Sequence, residues 1–380
     1  MSVGRQTLGV SLDVTAIPLR AAGAGQYALE IASALDRRDD LAVTLLTRRK
    51  DTTRWAKRAP GSTLVPVAPE PRPLRLLFEQ VALPRRLRSL PVSVHHGLHY
   101  TMPERARVPV VVTVHDCTYF DHPEWHEPAK VRFFRRAIAV AARRAAVVIC
   151  PSEATAERFA ELCRPRAPVM VAHHGIDHGR FSVREPEPGA DAAVLKGLGI
   201  DADRPTVVFV GTLEPRKGVG ILVSAFDALA DRHPDALLVL AGQPGWGSGL
   251  DALSSAAHRD RILVTGYVSD DAVPALLRHA SAVAYPSLDE GFGLPAFEAL
   301  ACGAPLVTTT GTPMARALGG AALLVEPGSA DALAEALEQL LDRDRALAAR
   351  REEGLARVAP LTWSKSAAIH ARAYAEAAAG

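Results

Sequence analysis

The chain has 380 residues, 48% of them hydrophobic and 23% charged, which excludes a disordered or fibrous protein and, because single cores stop growing at about 250–300 residues, predicts two domains. Its 44 basic and 42 acidic side chains nearly cancel, to +2, which excludes a dedicated nucleic-acid binder. The halves nevertheless differ in sign: residues 1–178 hold 26 Lys and Arg against 17 Asp and Glu, a net of +9, and residues 179–380 hold 18 against 25, a net of −7.

Short apolar runs rich in β-branched residues predict strands, and the longer periodic stretches between them predict helices. The first series of strands falls at 8–14, 42–46, 92–95, 108–114, 147–150 and 169–172. The stretch 181–203, with Pro186, Pro188, Gly189 and several acids, reads as a linker. A second series follows at 207–210, 237–241, 262–265, 282–285, 305–308 and 322–325. Strand and helix in alternation predict an α/β protein of two doubly wound, Rossmann-like domains on parallel sheets, with chemistry in the loops at the carboxyl ends of the strands. Cys117, Cys150, Cys163 and Cys302 form no Cys-x-x-Cys pair, which fits a reducing, cytoplasmic setting and no structural zinc. The N-terminal stretch does not read as a signal peptide, and no window approaches ~18 uninterrupted apolar residues, so membrane contact is expected to be peripheral.

The richest segment is 282–303. A strand ends at Tyr285-Pro286-Ser287, a loop carries Asp289-Glu290-Gly291-Phe292-Gly293, a helix is predicted to open at Leu294 or Pro295, and Gly303 caps its far end. Glycines beside a helix N-terminus let backbone amides approach an anion. Two carboxylates, Glu290 and Glu298, flank the same place and would not be there to hold phosphate. Their fitting partners are hydroxyls, and a ligand that joins a diphosphate to polyols on both sides is a nucleotide sugar. In Val210-Gly-Thr-Leu-Glu-Pro-Arg-Lys-Gly218, Arg216 and Lys217 sit at a strand-to-helix loop, where two cations suit a departing pyrophosphate. In the first half, Gly23-Ala-Gly25-Gln-Tyr27 opens a helix after the first strand, and His115-Asp116 ends the apolar run 111–114. His95, His96 and His99 lack an accompanying carboxylate or thiolate cluster, so no metal site is expected there.

Glu290-Gly-Phe-Gly-Leu-Pro-Ala-Phe-Glu298 resembles the Glu-x7-Glu signature of retaining glycosyltransferases of family 4, with the GT-B fold, and family-like segments span nearly the whole chain. The resemblance implies two Rossmann-like domains facing a cleft. These are an N-terminal acceptor-binding domain, 1–178, onto which 363–380 crosses back, and a nucleotide-sugar-binding domain, 179–362. It implies that Glu290 contacts the transferred sugar, Glu298 the ribose hydroxyls, and the Phe292-Gly293-Leu294 backbone the diphosphate. Thr265-Gly-Tyr-Val268-Ser-Asp270 is similar to the base-contacting turn, and the Gly23 and Gly25 loop to the one approaching the donor phosphate. His115 would support the reacting sugar, while Arg216 and Lys217 stabilise the leaving diphosphate, with no divalent metal or other cofactor required. Pro123-Glu124-Trp125 fits the same subgroup, and His174-Gly-Ile-Asp177 resembles a turn that carries Asn first in the family. Trp363, in the C-terminal element, would be an inter-domain packing anchor. Thr212 and Met314-Ala-Arg316 depart from the family, which commonly has Arg and Pro-Glu at those places.

The activity so implied is transfer of a hexose, with a lean toward mannose from GDP-mannose, to a saccharide or lipid-linked saccharide. Alternatives from other classes are a nucleotide-sugar 2-epimerase of the same architecture and a catalytically silent nucleotide-binding subunit. The basic half adds an expectation of its own. Arg132, Arg135, Arg136 and Arg143 fall near one face of a predicted amphipathic helix, and Arg72, Arg75, Arg85, Arg86 and Arg88 surround Leu76, Leu77 and Phe78. Such a surface suits docking at the anionic inner face of a membrane, the alternative being a solvated face.

Overall fold

The computed structural model describes residues 7–19, 21, 23–245, 251–342 and 346–380. The chain divides into two compact units, Met1–Gly175 with Trp363–Gly380, and Ile176–Thr362. In the first, strands β1 (Leu8–Asp13), β2 (Leu41–Arg48), β3 (Thr63–Ala68), β4 (Val94–Gly97), β5 (Val110–Thr113), β6 (Val147–Cys150) and β7 (Val169–Val171) form one sheet in the order β3-β2-β1-β4-β5-β6-β7. In the second, β8 (Thr206–Val210), β9 (Leu237–Ala241), β10 (Ile262–Gly266), β11 (Ala282–Tyr285), β12 (Leu306–Thr309) and β13 (Leu323–Val325) form a sheet in the order β10-β9-β8-β11-β12-β13. Every pairing is parallel. Parallel sheets are covered on both faces, so their central strands read as unbroken apolar runs. Accordingly Val147–Cys150, Leu237–Ala241 and Ala282–Tyr285 are buried at every position.

In each unit the strand order reverses beside the first strand, between β1 and β4 and between β8 and β11. Neighbouring crossovers leave in opposite directions there, so the carboxyl ends of those strands and their loops are where a ligand fits.

Two expectations are corrected. The stretch 181–203 is not a bare linker: it contains the helix Ala190–Gly197, and Asp191 forms two 2.6 Å bonds with the Arg278 guanidinium, the two side chains being 7% and 8% exposed. The proline and acid content disguised a helix whose acid is internally matched. The arginines expected on one face of the helix Pro128–Arg144 are likewise not all free for a partner. Arg135 donates to the Tyr119 carbonyl at 2.7 Å, and Arg136 pairs with Glu104 at 2.5 Å. Arg132 and Arg143 on that helix are exposed.

The strand β3 has no counterpart in the sequence reading. It contains Pro66, which removes a ladder donor, and it lies at the sheet edge, where that omission is tolerated. The C-terminal helix Trp363–Ala379 packs within the first unit, against the helix Ala24–Asp36. Trp363 is buried there, its ring 5.9 Å from that of His174 and 6.3 Å from that of Tyr27. Among the described residues no helix is long and apolar enough to cross a membrane.

Candidate active site

At the β8/β11 reversal, two loops close on one another. The loop after β8 ends in a short turn, Pro215–Lys217, and then Gly218, whose φ of 69° and close approach to the Pro286 carbonyl leave no room for a Cβ: one would lie 2.1 Å from that oxygen. The Leu288 amide donates to the Arg216 carbonyl at 2.8 Å, fastening the loop after β11 to the same turn. This brings three of the expected site residues together. Lys217 Nζ donates to Glu290 Oε1, and Arg216 Nη1 lies 3.5 Å from Glu290 Oε2 and donates to the Asp289 carbonyl at 3.2 Å.

The group is largely out of water, with the side chains of Lys217 and Glu290 14% and 10% exposed. Burial pushes the Lys217 ammonium below its ordinary value, and Arg216 beside it acts the same way. Burial pushes the Glu290 carboxyl up, but Lys217 and Arg216 outweigh it and hold the carboxyl below the usual carboxylate range. Glu290 is therefore held as the ionised partner of the Lys217 ammonium. Two cations able to turn toward an anion stand beside a carboxylate able to accept from hydroxyls.

Downstream, Gly293 caps the helix Leu294–Ala301 with φ of 82°, and a Cβ there would lie 2.4 Å from Met314 Sδ. Phe292 is buried against Phe297, ring centroids 4.7 Å apart, and Leu294 is buried too. What the segment 292–294 offers a ligand is thus its backbone at a helix N-terminus. Glu298 is half-buried, one turn into that helix. Val268 is buried in the loop after β10, and in the same loop the Asp270 carbonyl accepts from Arg180 Nη2 at 2.7 Å.

The remaining expected residues belong to the first unit. Gly23 caps the helix Ala24–Asp36 with φ of 52° and open space around it, whereas Gly25 is buried, a Cβ there lying 3.0 Å from that of Ala21. Packing explains the absence of a side chain at Gly25. His115 follows β5 and is buried, and burial holds its imidazole below the ordinary value. Its Nε2 is 2.9 Å from the Leu98 carbonyl, which can only accept, so the proton is on Nε2 and Nδ1 carries the lone pair.

Beside His115 runs a chain of bonds whose direction is fixed by the same reasoning. His370 Nδ1 donates to the Ser366 carbonyl at 2.8 Å, and burial lowers His370 to about 4, so its Nε2 accepts from the Tyr27 hydroxyl at 2.8 Å. The Tyr27 oxygen then accepts from Thr113 at 2.9 Å, the Thr113 oxygen accepts from His96 Nε2 at 2.9 Å, and His96 Nδ1 accepts from the Tyr374 hydroxyl at 2.8 Å. The chain begins and ends on the C-terminal helix and passes through the sheet and Tyr27, whose ring lies 5.0 Å from that of His115. His96 is thus taken up by Thr113 and Tyr374, and His95 Nδ1 by the Ser11 hydroxyl at 2.9 Å.

Two further residues meet this cluster and the Gly293 turn, the first given no role in the motif reading and the second noted there only as a departure from the family. Glu214, buried within the quoted 210–218 segment, binds Arg216 Nη2 at 2.9 Å. An acid two places before an arginine in one loop was the available signal. Met314 lies under the Gly293 turn, giving one of the departing positions a packing role.

Two family models match the chain, "Glycosyltransferase Family 4" over residues 21–180 and "Glycosyl transferases group 1" over residues 193–356. Among curated relatives, an O-antigen chain mannosyltransferase B of Escherichia coli is 28% identical over 313 residues, covering 80% of each chain. A GDP-mannose-dependent alpha-(1-6)-phosphatidylinositol monomannoside mannosyltransferase of Mycobacterium tuberculosis is 35% identical over 216 residues, 53% of this chain, and that match spans about half (54%) of the relative's length. Among solved structures, a sucrose-phosphate synthase from Thermosynechococcus elongatus superposes with a TM-score of 0.79 at 20% identity, over 97% of this chain and 98% of that one, which bears on the fold.

Proposed function

The chain belongs to glycosyltransferase family 4, and from that premise we propose that it moves mannose, with retention at the anomeric carbon, from GDP-mannose to a saccharide or lipid-linked saccharide. The observation that carries the reading is the buried Lys217, Arg216 and Glu290 cluster at the β8/β11 reversal. Mannose and GDP are favoured because both curated relatives above are named as mannosyltransferases and one as GDP-mannose-dependent.

A nucleoside diphosphate is a competent leaving group, so the demand on the protein is positioning and charge stabilisation. Lys217 and Arg216 take the diphosphate with the 292–294 backbone amides, Glu290 accepts from the sugar hydroxyls, Glu298 from the ribose, and the loop at Val268 meets the base. His115, neutral and bare at Nδ1, accepts from a hydroxyl of the transferred sugar. Gly23, at an open helix N-terminus, lets the chain approach the donor. Two side-chain cations and a helix terminus match the diphosphate charge, so the reaction needs no divalent metal.

An anionic membrane surface is the further partner. On the helix Arg72–Val81, Leu74, Leu77 and Val81 are 51%, 58% and 51% exposed at i, i+3 and i+7, one stripe. Arg72, Arg85, Arg86 and Arg88 are exposed on and beyond that helix. An apolar stripe with exposed arginines at the start of its helix and on the next one fits the acyl boundary beneath anionic headgroups. The enzyme then works at the cytoplasmic face, where a lipid-linked acceptor is presented.

The test is thermal unfolding against GDP-, UDP- and ADP-sugars with EDTA present. At 100 times Kd a ligand stabilises by about 2.7 kcal/mol. GDP-mannose is expected to raise the Tm, and release of mannose to an acceptor, without an epimerised donor, is expected beside it. A Tm raised by none of the three, or an epimerised sugar formed from donor alone, overturns the proposal.

A further inference from the structure

Both cations of the donor site already have carboxylate partners, and the two carboxylates are shared differently. Arg216 Nη2 lies 2.9 Å from Glu214 Oε1, while Arg216 Nη1 and Lys217 Nζ share Glu290. Glu214 projects from a braced segment. Leu213 bridges to Pro244, the Leu213 carbonyl accepts from the Gly245 amide at 2.9 Å, and the Glu214 carbonyl accepts from the Lys217 amide at 3.0 Å. Gly245 comes so near that a Cβ on it would lie 2.9 Å from Glu214 Cβ. Glu290 sits in the loop between β11 and the helix Leu294–Ala301, which is itself tied to the Arg216 turn through the Leu288 amide and the Asp289 carbonyl, and its carboxylate lies between the two cations.

Two cations and two carboxylates balance in the absence of ligand. A diphosphate brings at least two further negative charges, and it cannot share a buried ammonium with a carboxylate without strong repulsion. The carboxylate that yields is Glu290, the one bonded to the buried Lys217 ammonium and shared with Arg216.

Building on the donor-site reading above, we propose that Glu290 is an internal stand-in for the donor diphosphate, exchanged for phosphate oxygens when the nucleotide sugar binds, and that Glu214 is the positioning residue that keeps Arg216 aimed through the exchange. Freed from the cations, Glu290 accepts from the sugar hydroxyls. Recognition of the sugar therefore waits on recognition of the diphosphate, and a free hexose finds its acceptor carboxylate taken. No covalent bond changes in the exchange.

Calorimetric titration of GDP, with UDP beside it, tests this on the whole chain, with Tm recorded for each variant. Glu290→Gln removes the stand-in and is expected to bind GDP at least fivefold tighter while losing transfer. In a Lys217→Met background the same substitution is expected to change affinity less than twofold, because little remains to be released. Glu214→Gln is expected to weaken GDP, and to do so only while Arg216 is present. E290Q binding GDP equally or more weakly, or gaining as much in the K217M background, overturns the exchange, the latter outcome marking general relief of charge. An E214Q loss that persists in an Arg216→Gln background makes Glu214 merely structural and overturns its role. A wild-type chain that binds neither GDP nor UDP overturns the donor-site reading itself, and the exchange with it.

Discussion

Lys217, Glu290 and Arg216 show how a few buried charges determine both local structure and chemistry. A buried ion pair contributes little net stability, because desolvation offsets the Coulomb attraction, yet removal of one partner strands the other and costs about 3–5 kcal/mol. Such a cluster is a weak device for stability and a good one for presenting charge to a ligand. The histidines of the first unit illustrate the opposite case. Burial lowers His95 and His370 from an ordinary 6.5 to about 4 and His99 to about 3. The folded state thus binds fewer protons than the unfolded one between those values. The contribution of each is complete above about pH 6.5 and is lost as pH falls toward 4. Urea unfolding is expected to show stability falling steeply over that range. In His370→Gln the slope between pH 6 and 4.5 is expected to be smaller by close to one proton, ~1.4 kcal/mol per pH unit. An unchanged slope would show that His370 is not neutral in the folded protein.

At the scale of elements, most strands were legible because a buried parallel strand is an apolar run and little else has that signature. Val147–Cys150, Leu237–Ala241 and Ala282–Tyr285 match the sequence reading residue for residue. What escaped it depended on partners far along the chain: β3, tolerable with Pro66 at an edge, and the helix Ala190–Gly197, whose Asp191 meets Arg278 87 positions later. The basic helices split on the same ground. Arg136 finds Glu104, a match with no local signal, whereas the stripe Leu74, Leu77 and Val81 has helical spacing that any reading can find and an exposure that only the fold reveals. That helix makes its own prediction. Co-sedimentation with vesicles containing anionic lipid at low salt is expected to recover the wild-type chain and to lose most of it in Leu74→Glu/Leu77→Glu, with neutral vesicles recovering neither. Equal recovery of both chains on anionic vesicles would move the docking surface elsewhere.

At the scale of the molecule, the division of charge and the division of labour follow the same boundary. The basic half of the sequence forms most of the unit that carries the stripe and His115, and the acidic half forms the unit that carries Arg216 and Lys217. On the proposed function, donor phosphates are met by local cations and a helix terminus, not by the field of the domain that holds them. The motifs assigned to the donor were readable because each is contiguous, as 210–218 and 290–298 are. The contact between them was not, since it depends on the strand order placing β8 beside β11. The packing of Met314 under the Gly293 turn was hidden by distance along the chain too, whereas Glu214 lies two places from the arginine it binds. The central claim is that these two contiguous segments form one donor site, and transfer from GDP-mannose by Lys217→Ala and Glu290→Ala tests it most directly. Loss of a single charge-stabilising group typically costs 10²–10³-fold in turnover. The structure predicts a fall of at least about 100-fold in each, and turnover within twofold of wild type in both would contradict it.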